Sequence, residues 1–191
     1  MIPASDDARA TDSARKRELL EAAYQYVLGN GLADMSLRPL AKEIGSSPRV
    51  LLFLFGSKDG LVRALLARAR EEELRYLAAL RDERGGLAAT ARDVWAWLAD
   101  PAHRALLALW VEGYARSLLG EPGPWAGFGR DTVRDWLDLL AERQFAGRDG
   151  PYAESERTLL LAVLRGALLD LLATGDTDRV TRAVHRHLHL V

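Results

Sequence analysis

The sequence predicts an all-α protein. Apolar residues recur at three- and four-residue spacing through nearly every segment, no stretch alternates apolar and polar at period two, and the interruptions are Gly-, Pro- and Asn-rich clusters of the kind that stop helices. The periodicity counts about nine helices. Residues 1–13 are polar and unpatterned and read as a flexible arm.

The first helix carries Leu19, Leu20, Ala23 and Val27 on one stripe, with Arg15, Lys16, Arg17, Glu18 and Glu21 mainly off it. Gly29-Asn30-Gly31 stops it, because glycine and asparagine accept the left-handed conformation. A short second helix opens at Ser36, whose hydroxyl can cap free amides, with Pro39 in its first turn; Leu37, Leu40, Ala41 and Ile44 form its apolar stripe. After Gly45, Ser47 as cap and Pro48 at the first helical position open a third short helix, which Gly56 ends. Ser57 caps a long fourth helix reading from Lys58 to Arg84, closed by Gly85-Gly86. Later helices read as Leu87 to Ala99, Pro101 (capped by Asp100) to Leu119, Trp125 to Phe145, Tyr152 to Ala173 and Asp176 to Leu190.

This pattern divides the chain into the arm, a small trihelical head at 14–57, and a longer, more apolar helical domain at 58–191 that the fourth helix joins without a flexible linker. With 191 residues, 49% of them hydrophobic, the chain buries a core without staples. It has no cysteine, which removes disulfides, thiolate metal sites and cysteine nucleophiles. Twenty-six basic against 27 acidic residues leave no overall pull on nucleic acid, so binding of that kind needs a local patch. The acidic start is no signal peptide, and apolar runs such as Ala105 to Val111 are far too short to span a bilayer. The expectation is a cytoplasmic protein without a membrane partner.

The second helix, the Gly45-Ser46-Ser47 turn and the third helix have the size of a helix-turn-helix, whose second helix enters the major groove. Many all-helical proteins also join two short helices through glycine, so the pattern alone leaves both readings open. The residues Ala22-Ala23, Gly31, Ser36-Leu37-Arg38-Pro39-Leu40-Ala41-Lys42-Glu43-Ile44-Gly45-Ser46-Ser47, Leu51 and Phe55-Gly56-Ser57-Lys58-Asp59-Gly60-Leu61 resemble, in order and spacing, the TetR family of transcriptional regulators. The match covers about the first third of the chain; the rest agrees in architecture.

The resemblance implies that Ser47, Pro48, Arg49 and Val50 open a recognition helix facing base edges. Arg49 is the candidate for a specific contact, since its planar fork matches guanine O6 and N7; an exposed surface arginine is the alternative. Ser36 and Lys58 would meet phosphates, and Lys42 and the Arg15-Lys16-Arg17 cluster could add backbone contacts. One departure stands out. Family members commonly carry tyrosine, and histidine or a second tyrosine, in the second half of this helix, where they meet the DNA backbone; here it reads Leu51-Leu52-Phe53-Leu54-Phe55. Leu51 and Phe55 share the inward face, so Leu52, Phe53 or Leu54 is partly exposed. These side chains can touch a thymine methyl or a sugar but cannot hydrogen-bond a phosphate, which predicts weaker operator binding or an apolar surface serving another contact.

All five tryptophans lie beyond residue 90. Trp95, Trp110, Trp125 and Trp136, with Tyr114 and Phe128, read either as an aromatic-lined pocket for an apolar or aromatic effector or as core packing. Glu112 and Arg116 could orient a polar ligand or be solvated. Leu159, Leu160, Val163, Leu164, Ala167, Leu168, Leu171 and Leu172 form a stripe too wide for one buried face, Gly166 and Ala167 allow close helix approach, and a two-fold four-helix bundle of a homodimer, with Leu160, Val163, Leu164, Ala167, Leu168 and Leu171 at its interface, would cover it. Arg165 and Asp170 read as a salt-bridged or capping pair at its margin. Of the C-terminal histidines only His185 and His189 share a helix face, with no carboxylate at ligand spacing. There is no phosphate loop, nucleophile elbow or zinc-protease motif, so no enzyme, cofactor or metal is expected.

The resulting expectation is a dimeric repressor that binds a palindromic operator on double-stranded DNA and is released by a small molecule. The alternative is a helical ligand-binding or protein-interaction dimer whose operator binding is weakened or lost.

Overall fold

The computed structural model describes residues 5–32, 35–79, 86–120, 122–143 and 150–189, without the side chains of 5–12 and 77–79. Among these residues there are nine α-helices and no strand: α1 (Ser5–Asn30), α2 (Leu37–Glu43), α3 (Pro48–Phe55), α4 (Lys58–Ala79), α5 (Gly86–Ala99), α6 (Arg104–Leu118), α7 (Phe128–Arg143), α8 (Pro151–Thr174) and α9 (Thr177–Leu188). The boundaries differ most from the periodicity in three places. α1 starts at Ser5, inside the stretch read as a loose arm. Asp100 accepts the Ala102 amide as anticipated, but it caps a 3-10 turn at Pro101–His103 that precedes α6. α7 starts at Phe128, after the turns that follow Pro124. The anticipated end of the fourth helix, residues 80–84, lies outside the described residues.

The chain forms two compact units, one of residues 1–72 with 109–126, the other of 73–108 with 127–191. Compactness therefore groups 109–126 with the trihelical head rather than with the remainder of the 58–191 block.

In the first unit the helical spacing delivers the core directly. α1 buries Leu19, Ala23, Tyr24 and Val27, α2 buries Leu40 and Ala41, α3 buries Leu51 and Phe55, and α4 buries Leu61, Val62, Leu65 and Leu66. Each such leucine contributes roughly 1.5–3 kcal/mol by leaving water. Polar contacts then hold α1 to α4: the Arg68 guanidinium donates to Glu21 at 2.8 Å and to Glu72 at 3.0 Å, and lies 4.6 Å from the Tyr24 ring centroid. The Tyr24 hydroxyl donates to Glu72 at 3.2 Å. Burial first, and then the Glu72 charge, push the Tyr24 phenol well above its ordinary range.

In the second unit α5 packs against α7, α8 and α9. Val94, Trp95 and Leu98 meet Trp136, Leu139 and Leu140 of α7, Leu160, Leu161, Leu164, Leu168 and Leu171 of α8, and Val180, Val184 and Leu188 of α9 in one core. Both of its buried indoles have acceptors. The Trp95 indole donates to Thr181 at 3.0 Å and the Trp136 indole to the Glu73 carboxylate at 2.5 Å. Tyr76, Trp97 and His103 form a continuous stack, with centroid spacings of 4.7 and 4.4 Å. Asp170 pairs with Arg179 at 2.6 Å, not with Arg165 as the sequence suggested, because the α8–α9 turn folds Arg179 back across it.

Candidate nucleic-acid interface

The turn between α2 and α3 is built by main-chain hydrogen bonds that demand glycine. The Ser46 amide donates to Ala41 at 2.8 Å and the Gly45 amide to Lys42 at 3.4 Å, the doubly bonded C-terminal motif that needs a left-handed residue between. Gly45 supplies it at φ +63°. The chain then enters α3 through Ser47, whose Oγ accepts the Val50 amide at 3.3 Å, and Pro48, whose missing N–H is not needed there. Ser36 stands at the start of α2 with extended backbone, but its hydroxyl makes no capping bond, contrary to the sequence expectation. Ser57 does cap α4, accepting the Gly60 amide at 3.0 Å.

α3 separates its faces cleanly. Leu51 and Phe55 turn inward. Arg49 and Phe53, one turn apart, occupy the opposite side and are exposed, flanked by Val50 and Leu52; Leu54 is half-buried. Ser47 and Pro48 are half-buried at the entrance, while Ser36, Lys42 and Lys58 are exposed on the neighbouring segments. Arg38, Lys42, Arg49 and Lys58 make no ion pair among the described residues. The Arg15-Lys16-Arg17 cluster is partly engaged: Arg15 pairs with Glu18 at 2.8 Å, and the Lys16 ammonium lies 5.3 Å from the Phe55 ring centroid. Exposed cations on α2, on α3 and at the start of α4 can accept phosphates while the outer side of α3 meets base edges.

The other sequence-derived positions divide between the two units. Trp110, Tyr114 and Trp125 belong to the first, where Trp110 stacks on Tyr114 at 4.9 Å and Arg116 lies 5.0 Å from the Trp125 ring centroid. Trp95, Phe128 and Trp136 belong to the second. Trp95, Trp125 and Trp136 are buried, whereas Trp110, Tyr114 and Phe128 are half-buried. On α8, Leu160, Leu164, Leu168 and Leu171 point into the second unit's own core, and Val163 and Ala167 are half-buried. The outward apolar face of α8 is instead Leu159, Ala162, Gly166 and Leu169. α8 is apolar nearly all round, so periodicity could not tell these two faces apart.

One residue was missed as a structural element. Glu112, on α6, accepts the Leu32 amide of the α1–α2 connection at 3.0 Å, and Arg116 approaches its other oxygen at 3.5 Å. Nothing local in the sequence signals a contact 80 residues apart. Among the described residues no group of three His, Cys, Asp or Glu could hold a metal ion, and no helix is long and apolar enough to cross a membrane.

No protein-family profile matches the chain. The HTH-type transcriptional repressor Rv1474c of Mycobacterium tuberculosis is 31% identical over 173 residues, which cover 88% of this chain and 88% of that protein. A crystallised TetR-family member from Streptomyces coelicolor A3 is 26% identical and superposes with a TM-score of 0.69 over 90% of this chain and 96% of its own. The multidrug binding protein EbrR, solved in complex with proflavin, is also 26% identical, with a TM-score of 0.65 over 90% of this chain and 98% of its own. Helix order, the glycine-built turn and a relative matching along most of both chains agree: the chain belongs to the TetR family of transcriptional regulators.

Proposed function

We propose that this regulator is a repressor that binds a palindromic operator as a homodimer and is released by a small apolar or aromatic effector. The observation that carries the reading is α3, with Leu51 and Phe55 inside and Arg49 outside among unpaired cations. Two copies of α3, about one DNA turn apart, would read two half-sites. The outward face of α8, Leu159, Ala162, Gly166 and Leu169, is the surface best suited to a second copy, because small residues at its centre allow close helix approach. Trp110 and Tyr114 are the aromatic pair we assign to the effector, consistent with proflavin binding by EbrR. An effector acts only through its differential affinity for the DNA-competent and released states.

Selection of duplexes from genomic fragments, followed by footprinting, tests this. A protected palindrome lost in Arg49→Ala supports it. The exposed Phe53 favours one rival, a dimer that binds ligands or proteins without DNA. Failure to enrich any duplex at low salt would establish that rival.

A further inference from the structure

Phe53 is 74% exposed, the most exposed large apolar side chain of the head, and Leu52 and Val50 beside it are 40% and 38% exposed. Leaving a phenyl ring in water forgoes burial for no contact within the molecule. The strip it forms is not surrounded by neutral surface. Between residues 35 and 63 there are five basic and two acidic residues, and Arg38 and Lys42 on α2, Arg49 on α3 and Lys58 at the start of α4 are exposed without ion pairs among the described residues. An apolar strip inside a cationic rim complements a polyanion that carries apolar groups on its floor. On the major-groove edge of B-DNA the group of that kind is the C5-methyl of thymine. The recognition helix also offers no hydroxyl, amide or imidazole at 52–54, so base discrimination there has to come from apolar contact.

Resting on the operator-binding reading above, we infer that Val50 and Phe53 are specificity determinants that read thymine methyl groups, while Arg49, one turn before Phe53, takes the neighbouring guanine. The half-site is then a guanine flanked by thymines, recognised by one bidentate hydrogen bond and by methyl contacts.

The test uses the full-length protein and half-sites enriched from a random duplex library. Each thymine is replaced in turn by deoxyuridine, which removes one methyl and leaves base pairing unchanged. At contacted positions binding should weaken about fourfold per methyl, the factor equivalent to ~0.8 kcal/mol for one buried methylene-sized group. In Phe53→Ala, whose site is exposed and whose fold is therefore retained, or in Val50→Ala, the same positions should become indifferent to the methyl. Enriched half-sites without thymine, deoxyuridine that is neutral everywhere, or a penalty that persists in both variants would overturn the inference and leave operator binding intact. Enrichment of no duplex at all would overturn both, and would point to an apolar protein partner for the same strip.

Discussion

Glu112→Ala should loosen the first unit at one identifiable place. The Leu32 amide is in a residue only 3% exposed, and the Glu112 carboxylate is its acceptor at 3.0 Å. A hydrogen bond to a charged acceptor contributes ~1.5–3 kcal/mol, and removing the acceptor leaves the buried N–H without a partner. The Arg116 contact adds little. At 3.5 Å, with the two side chains 29% and 22% exposed, it is a partly solvated ion pair whose worth is at most ~1 kcal/mol. The expected loss is thus about 2 kcal/mol, concentrated at the α1–α2 connection. Amide hydrogen exchange followed by NMR reads it out: the Leu32 amide should exchange about thirtyfold faster if it opens locally. Glu112→Gln, which keeps an oxygen acceptor but not the charge, should fall between. If Leu32 exchanges within about twofold of the parent rate in Glu112→Ala, the contact does not restrain that connection and the argument is wrong.

Other changes have equally definite outcomes. Gly45→Ala forces a side chain to φ +63°, and should lower the unfolding free energy by ~1–2 kcal/mol with loss of duplex affinity, measured by urea titration and fluorescence anisotropy. Gly60→Ala places a Cβ against the Phe55 carbonyl oxygen and has to displace the α3–α4 turn; a variant as stable as the parent would show that this turn yields freely. Trp136→Phe removes the indole donor from the Glu73 carboxylate, which is 6% exposed, and should cost ~1.5–3 kcal/mol, the worth of a hydrogen bond to a charged acceptor. Asp170 is held below its ordinary value of 3.8 by hydrogen bonds from Arg179. A depressed folded-state value contributes stability above 3.8 that disappears as pH falls through the folded value, so Asp170→Asn should be less stable than the parent at neutral pH and converge with it in acid.

Legibility followed the range of the interactions. The head was readable because its signals are local: glycine at Gly31, Gly45 and Gly56, each with positive φ, serine caps at Ser47 and Ser57, and apolar residues four apart. The exposed side of α3 followed from the same spacing, since six successive apolar residues cannot share one face. Where an element lacked contrast, the pattern gave out. α8 is apolar on two faces, and which leucines turn inward depends on α5, α7 and α9. Ser36 occupies a capping position without capping, a matter of side-chain rotamer rather than of sequence spacing.

By itself the sequence determined that this chain is helical, where the head's helices stop, and that α3 carries Arg49 among apolar neighbours instead of hydroxyl and imidazole groups. Those properties rest on backbone dihedral preference and on a 3.6-residue period, which act over one or two turns. Only the tertiary structure decided that 109–126 joins the head, that Glu112 holds Leu32, and that Asp170 faces Arg179. Such pairings arise when distant segments compete for the same buried volume and the same unsatisfied polar groups, and no local pattern records the outcome of that competition.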